Sequence, residues 1–146
     1  MSDALIDIET AIIIAASAHR GQTDKGGKPY ILHRLRVMAR GESFDEMVVG
    51  VLHDILEDTR TTAQTLLLSG VSEPQLEAIV ALTRRESEPY EDFISRVAQN
   101  DLAKRVKIYD LFDNLSPARA LPNGEKLRER YCRALNKLQR GGLVPS

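Results

Sequence analysis

Apolar residues recur every three to four positions along most of the chain, which is the spacing of one face of an α-helix. In the first segment Leu5, Ile8, Ile12 and Ala15 form such a stripe, and His19 continues it. Alternating polar and apolar residues, the pattern of a half-buried strand, form no convincing run. The pattern therefore predicts an all-α fold of about seven to eight helices.

Capping residues, prolines and glycines mark where these helices begin and end. Three hydroxyl residues stand three positions before a Glu or Gln and so mark helix starts, at Ser43, Thr61 and Ser72. Pro117 and Pro122 bracket the last predicted loop. The predicted helices cover residues 3–20, 30–40, 43–58, 61–69, 72–82, 89–98, 100–114 and 124–139.

The helix predicted over residues 43–58 has two distinct faces. At about 100° per residue, His53, Asp54, Glu57 and Asp58 share one polar arc opposite a set of aliphatic side chains. Three neighbouring acids near the negative end of a helix dipole repel one another unless a cation lies against them. Gly50, one turn before His53, is expected to open space beside the imidazole. The alternative is a solvated acidic face, which charge runs usually form.

Composition narrows the classes of function. A chain of 146 residues is the size of one domain and can bury a core without disulfides. Its net charge of −1 provides no general attraction for nucleic acid or an anionic membrane. Aromatic residues make up 5% and tryptophan is absent, which disfavours stacking on single strands. We expect a small-molecule ligand, with no nucleic-acid or membrane partner, and the sequence leaves the oligomeric state open.

Cysteine use and the first apolar segment predict a cytoplasmic protein. The single Cys132 cannot form an internal disulfide, which suits a reducing compartment. The apolar run over residues 11–18 is too short to cross a bilayer. Asp3, Asp7 and Glu9 precede this run, where a signal peptide would carry positive charge.

Two histidines and two aspartates on separate predicted helices form a candidate metal site. His33, His53, Asp54 and Asp110 offer mixed nitrogen and oxygen ligands, which suit manganese, iron, zinc or magnesium. Spacing alone leaves an ordinary alternative, in which His33 is a partly buried helix residue and Asp110 pairs with Lys107. Because acid repulsion would be relieved, we expect Asp54→Ala to abolish metal binding without unfolding the protein.

The order of several short segments resembles the HD-domain hydrolases of the RelA/SpoT type, in particular the small stand-alone alarmone hydrolases. The resemblance covers about residues 15–114 and matches the helix over 124–139 only loosely. It implies a helical HD domain that removes the 3′-pyrophosphate from (p)ppGpp. The matching segments are His19-Arg20-Gly21-Gln22, Lys25-Gly26, Pro29-Tyr30-Ile31-Leu32-His33, His53-Asp54-Ile55-Leu56-Glu57-Asp58-Thr59, Lys107-Ile108-Tyr109-Asp110 and Asn114.

The resemblance also implies a role for each matching residue. It makes the two histidines and two aspartates of the candidate site the ligands of one divalent metal, usually manganese. It makes Glu57 and Asp58 the groups that activate the attacking water, and places Lys25 and Asn114 in the nucleotide pocket. The leaving pyrophosphate needs cations as well. The candidates are Arg20, Lys28, Lys107 and Arg128.

Three positions depart from the family pattern and bear on the substrate. Asp24 stands where an arginine usually stacks on guanine, although its carboxylate can accept from guanine N–H groups. Arg34 replaces a proline after the metal histidine, and Pro117 replaces a base-contacting threonine. Alternative substrates are therefore a nucleoside monophosphate, NADPH or another phosphate ester. A further alternative is a module that binds metal or nucleotide without catalysis.

Overall fold

The computed structural model describes residues 4–116 and 124–140, and all regular secondary structure in these ranges is helical. The all-α prediction is confirmed. An isolated bridge joins Thr23 to Pro29 in the loop before the second helix. The helices are α1 (Ile8–Ala18), α2 (Ile31–Ala39), α3 (Phe44–Leu52), α4 (Ile55–Asp58), α5 (Ala63–Leu68), α6 (Glu73–Ala81), α7 (Tyr90–Val97), α8 (Asp101–Leu115) and α9 (Gly124–Arg140).

The helix predicted over residues 43–58 is broken in the middle. It ends at Leu52 as α3, and the short α4 begins at Ile55, so His53 and Asp54 form the turn between them. Asp54 has φ −118° and ψ 15°, outside the helical region. This break gives nine helices in the described residues instead of eight.

Side-chain caps set several of the observed boundaries. Helix α1 begins at Ile8 because the Asp7 carboxylate accepts from the backbone N–H of Thr10 at 2.7 Å. The predicted start at residue 3 lies outside the described residues. The cap of α5 is Thr62, one residue after the predicted Thr61. The capping box at Ser72 is present as predicted.

Helix α3 lies at the centre of the fold and packs against α1, α2, α6 and α8. Four of its aliphatic side chains, Val48, Val49, Val51 and Leu52, are fully buried. A Cβ at Gly50 would lie 3.1 Å from the Cα of Met38, so α2 and α3 approach closely at this position. The expectation that Gly50 opens space beside His53 is therefore wrong, because α2 fills that space.

Helix α9 packs against α8 and α7 through the buried Ala134 and Leu138. The predicted loop with Pro117 and Pro122, and the chain after α9, lie outside the described residues. Across the described ranges, no helix combines the length and apolar character that a bilayer crossing requires.

Candidate functional site

Three side chains from separate parts of the fold meet at one point. His33 comes from α2, His53 from the turn after α3, and Asp110 from α8, and all three are buried. Each offers one ligand atom, and these atoms lie within 4.8 Å of one another. The Oδ1 of Asp110 is 2.8 Å from His33 Nε2 and 3.3 Å from His53 Nε2. This arrangement provides two imidazole nitrogens and a carboxylate to a single centre.

Backbone and side-chain acceptors orient both imidazoles. The Nδ1 of His53 donates to the carbonyl oxygen of Gly50 at 2.7 Å, which directs Nε2 toward Asp110. The Nδ1 of His33 lies 2.6 Å from the Oδ2 of Asp113. Asp113 was not among the predicted site residues. Its position three residues after Asp110, on the same side of a helix, is the sequence signal that would have identified it.

Asp54, the fourth predicted ligand, lies beside this group of three. Its Oδ2 is 3.8 Å from His53 Nε2, while its Oδ1 accepts from Arg34 Nε at 2.7 Å. Burial favours a neutral His53, but the Asp54 and Asp110 carboxylates outweigh it and raise the pKa of His53 to about 9. Both carboxylates therefore act directly on the His53 imidazole.

Glu57 and Asp58 lie on α4, next to these groups. Burial and the adjacent Asp54 and Glu57 carboxylates raise the pKa of Asp58 to about 6. The Oε1 of Glu57 accepts from the backbone N–H of Arg84 at 2.9 Å. This contact uses Oε1 alone and does not involve the Oε2 of Glu57.

A cavity of about 230 Å³ opens over these side chains. Its acidic side contains the predicted ligands together with Glu57 and Asp58. The rest of the lining is largely cationic and aromatic, and includes Arg84, Tyr90, Phe93, Lys107, Arg130 and Tyr131. Of these six residues, only Lys107 was predicted from the sequence. Two of them come from α9, so the C-terminal helix completes the cavity.

Lys107 connects the cationic part of the cavity lining to the carboxylate of Asp110. Its Nζ donates to the Oδ2 of Asp110 at 2.8 Å. Burial favours the neutral amine, yet the Asp110 carboxylate keeps the pKa of Lys107 above its usual value. The Nδ2 of Asn114 lies 3.4 Å from Asp110 Oδ1, and the Oδ1 of Asn114 is buried without a hydrogen-bond partner. Both residues line the cavity.

The other predicted substrate contacts do not line the cavity. Lys25 and Lys28 are exposed in the loop before α2. The Asp24 carboxylate is used within this loop, where it accepts from the backbone N–H groups of Gly26 and Lys28 at 2.9 and 3.0 Å. Arg128 donates to the carbonyl oxygen of Leu115 at 3.3 Å, and Arg130 takes the position at the cavity wall.

The donor set fits a divalent cation. Two imidazole nitrogens and one or two carboxylate oxygens match the ligand preferences of manganese, iron and zinc, and leave positions for water and substrate. The orphaned amide oxygen of Asn114 points to a further polar partner beside Asp110. His33, His53 and Asp110 can hold such an ion, with Asp54 alongside.

Known proteins resemble this chain in sequence. No family model matches it. A GTP pyrophosphokinase of Myxococcus xanthus is 33% identical over 125 residues, covering 74% of this chain and 16% of that protein. A guanosine-3′,5′-bis(diphosphate) 3′-pyrophosphohydrolase of Aquifex aeolicus is 28% identical over 123 residues, covering 75% of this chain and 17% of that protein. The chain spans about a sixth of these curated relatives.

A solved structure matches the fold. It is described as a metazoan ortholog of SpoT that hydrolyzes ppGpp, and it superimposes with a TM-score of 0.72 at 21% identity. The match covers 92% of this chain and 85% of that chain. Fold and site together define a helical HD-type domain with a His/Asp centre. The sequence relatives confirm the resemblance to the RelA/SpoT type.

Proposed function

We propose that the chain is a metal-dependent phosphohydrolase that removes the 3′-pyrophosphate from (p)ppGpp or a related nucleotide. The observation that carries this proposal is the convergence of His33, His53 and Asp110 at the base of a cavity that Glu57 and Asp58 also line. The names of the hydrolase relatives support the alarmone as the first substrate to test.

One divalent ion, held by His33, His53, Asp54 and Asp110, belongs to this proposal. Manganese is the ion that the family resemblance favours. When bound, the ion supplies a Lewis acid that polarises the phosphoryl oxygens and offsets the charge that develops during transfer. The proposed ion also accounts for the clustering of the Asp54 and Asp110 carboxylates around His53.

Side chains of the protein transfer the protons and bind the substrate. Glu57 accepts the proton of the attacking water, and Asp58, with its raised pKa, shares this proton. Oxygen from water forms the new bond to phosphorus, the bond to the ribose 3′ oxygen breaks, and that oxygen takes the proton that Glu57 accepted from the water. Lys107, Arg84 and Arg130, which line the cavity, pair with the pyrophosphate group that is transferred to water.

Recognition of the base motivates a second substrate candidate. Asp24 replaces the usual arginine, and its carboxylate is already bonded to the backbone of its own loop. A nucleoside monophosphate, NADPH or another phosphate ester would use the same chemistry without guanine stacking. A non-catalytic binding module is the third candidate, which the pairing of Glu57 with Asp58 disfavours.

A nucleotide substrate agrees with the cytoplasmic location that the sequence predicts, as does the free thiol of Cys132. We further propose that residues 1–146 act as one HD-type catalytic domain, since α9 contributes Arg130 and Tyr131 to the cavity wall.

Incubation of the manganese-loaded protein with ppGpp tests the function. We expect GDP and pyrophosphate as products. The matched variant is Glu57→Gln, which keeps an acceptor for the Arg84 N–H but cannot take a proton, and its turnover should fall about 10²–10⁴-fold. No turnover at high enzyme concentration would exclude ppGpp, and a nucleotide screen for released phosphate then separates the other substrates from a binding module.

A further inference from the structure

Arg34 lies directly beneath the acidic side of the site. Its side chain is 0% exposed and does not line the cavity, so substrate cannot touch it. Each guanidinium nitrogen faces an acceptor. Nε donates to Asp54 Oδ1 at 2.7 Å, Nη1 to the Tyr30 carbonyl oxygen at 2.9 Å, and Nη2 lies 3.4 Å from Asp58 Oδ2. This buried cation is thus directed at two carboxylates of the site.

Local packing fixes the guanidinium in place. It stacks on the Tyr30 ring, with 3.9 Å between Cζ and the ring centroid. Arg34 also follows His33 in α2, so one turn of helix supplies both a predicted metal ligand and a fixed positive charge. A planar fork held in this way loses little further conformational freedom when it binds a carboxylate.

The two oxygens of Asp54 have different surroundings. Oδ1 is bonded to Arg34 and lies 3.5 Å from His19 Nε2, while Oδ2 is on the His53 side at 3.8 Å. An ion held among His33, His53 and Asp110 is therefore offered a single oxygen of Asp54. The other oxygen, Oδ1, stays hydrogen-bonded to Arg34.

We propose that Arg34 is a positioning residue that acts as an internal counter-cation, holding Asp54 by one oxygen and competing with the divalent ion for the acidic side of the site. This inference rests on the proposed function, because it takes Asp54 as a ligand of that ion. Arg34 neutralises the crowded acids before the ion binds. It also lowers the affinity for the ion, since two positive charges then share one carboxylate.

The strength of this effect follows from charge interaction at short range. The Arg34 guanidinium and the proposed ion would lie on either side of the Asp54 carboxylate. At an effective dielectric constant of about 20, repulsion between these two positive charges is strong enough to change the affinity for the ion by about tenfold or more. Arg40, the C-cap residue of α2, is exposed and lies near the Phe112 ring without a carboxylate partner among the described ion pairs. Arg40→Gln is therefore a control that removes an equal positive charge from the end of α2.

Calorimetric titration of the full chain with Mn²⁺ alone tests the proposal. We expect the Kd of Arg34→Gln to fall about tenfold or more relative to the unaltered protein. Arg34→Lys, which retains the charge, and Arg40→Gln should keep the original Kd. An unchanged or higher Kd for Arg34→Gln, or equal tightening in Arg34→Lys, would overturn the proposal.

Thermal unfolding gives a second readout that does not depend on activity. Without metal, Arg34→Gln should melt at a lower temperature, and Mn²⁺ should raise its Tm by more than in the unaltered protein. If this variant is unfolded without metal, Mn²⁺ must restore its helical circular dichroism, and failure to do so also overturns the proposal. Absence of Mn²⁺ binding to the unaltered chain would instead remove the proposed metal-dependent function.

Discussion

The Nδ1 of His33 and the Oδ2 of Asp113 are 2.6 Å apart and join α2 to α8 beside the cavity. Asp113 is nearly fully buried and also accepts from Arg36, at 2.7 and 3.2 Å. With its Nδ1 directed at this carboxylate, His33 presents Nε2 to Asp110 and the cavity. Asp113 therefore sets the orientation of a proposed metal ligand without reaching the metal position itself.

We expect Asp113→Asn to weaken Mn²⁺ binding by about 10- to 100-fold, because the amide is a poorer acceptor and no longer fixes the ring. Calorimetric titration with Mn²⁺ measures this change. Asp101→Asn, an exposed position in the first turn of the same helix, is the matched control and should bind as before. Equal affinities for the two variants would contradict a role for Asp113 in orienting His33.

The ion pair between Glu88 and Arg96 makes the stability of the fold depend on pH. Hydrogen bonds from Arg96 and from the backbone of Arg85 lower the pKa of Glu88 from 4.5 to about 2. A carboxylate with a lowered pKa stabilises the fold above its ordinary pKa, and this contribution is lost as pH falls toward the folded value. Arg96 also donates to the carbonyl oxygens of Ala81 and Thr83, so the pair ties α7 to the turn that carries Arg84.

We therefore expect Glu88→Gln to lower the Tm at pH 6 to 7, and the difference from the unaltered protein to shrink as pH falls from about 4.5 toward 2. Thermal melts over this pH series provide the measurement. Glu91→Gln, an exposed acid in the first turn of α7, should show no such dependence. A Tm difference that stays constant across the series would argue against this pair.

Local signals were sufficient for most of the fold. The helical period, the Ser72 capping box and the helix start predicted at residue 100 correspond to observed elements because each depends on a few neighbouring residues. The break at His53 and Asp54 was not predicted, since the apolar spacing continues through it. It arises in a segment where His53 bonds back to Gly50 and Asp54 turns to Arg34.

Contacts between distant segments account for what the sequence did not reveal about the site. Arg34 appeared only as a departure from a family pattern, yet it is the cation that offsets Asp54 and Asp58. Arg130 reaches the cavity because α9 packs across α7 and α8, which no local spacing encodes. Lys28 and Arg128 were chosen by charge alone, and charge does not determine which side of an element faces the cavity.

Gly50→Ala should destabilise the protein although alanine favours helices. The added Cβ would lie 3.1 and 3.3 Å from the Cα and N of Met38, which are backbone atoms of α2. Such overpacking costs about 1–3 kcal/mol, against a helix gain of about 1 kcal/mol. Because α2 carries His33, Mn²⁺ affinity should fall as well. Urea unfolding and Mn²⁺ titration measure both effects.

Gly124→Ala is the matched control for this substitution. Gly124 is the first residue of α9, and a Cβ there would meet nothing within 4 Å. We expect it to leave the free energy of unfolding and the Mn²⁺ affinity unchanged or slightly improved. If Gly50→Ala were equally well tolerated, the close approach of α2 and α3 would not limit the site.

The Asp54–Arg34 contact changes the prediction made from the sequence for Asp54→Ala. Relief of acid repulsion suggested that the fold would tolerate this change, but the substitution removes the closest partner of a fully buried guanidinium. Breaking such a pair costs about 3 kcal/mol or more, since the remaining charge stays buried. We expect loss of Mn²⁺ binding together with a lower free energy of unfolding. The double variant Arg34→Met with Asp54→Ala should recover much of the stability but none of the Mn²⁺ binding. Urea unfolding and Mn²⁺ titration measure the two effects. If Asp54→Ala were as stable as the unaltered protein, the Asp54–Arg34 pair would contribute little to the fold.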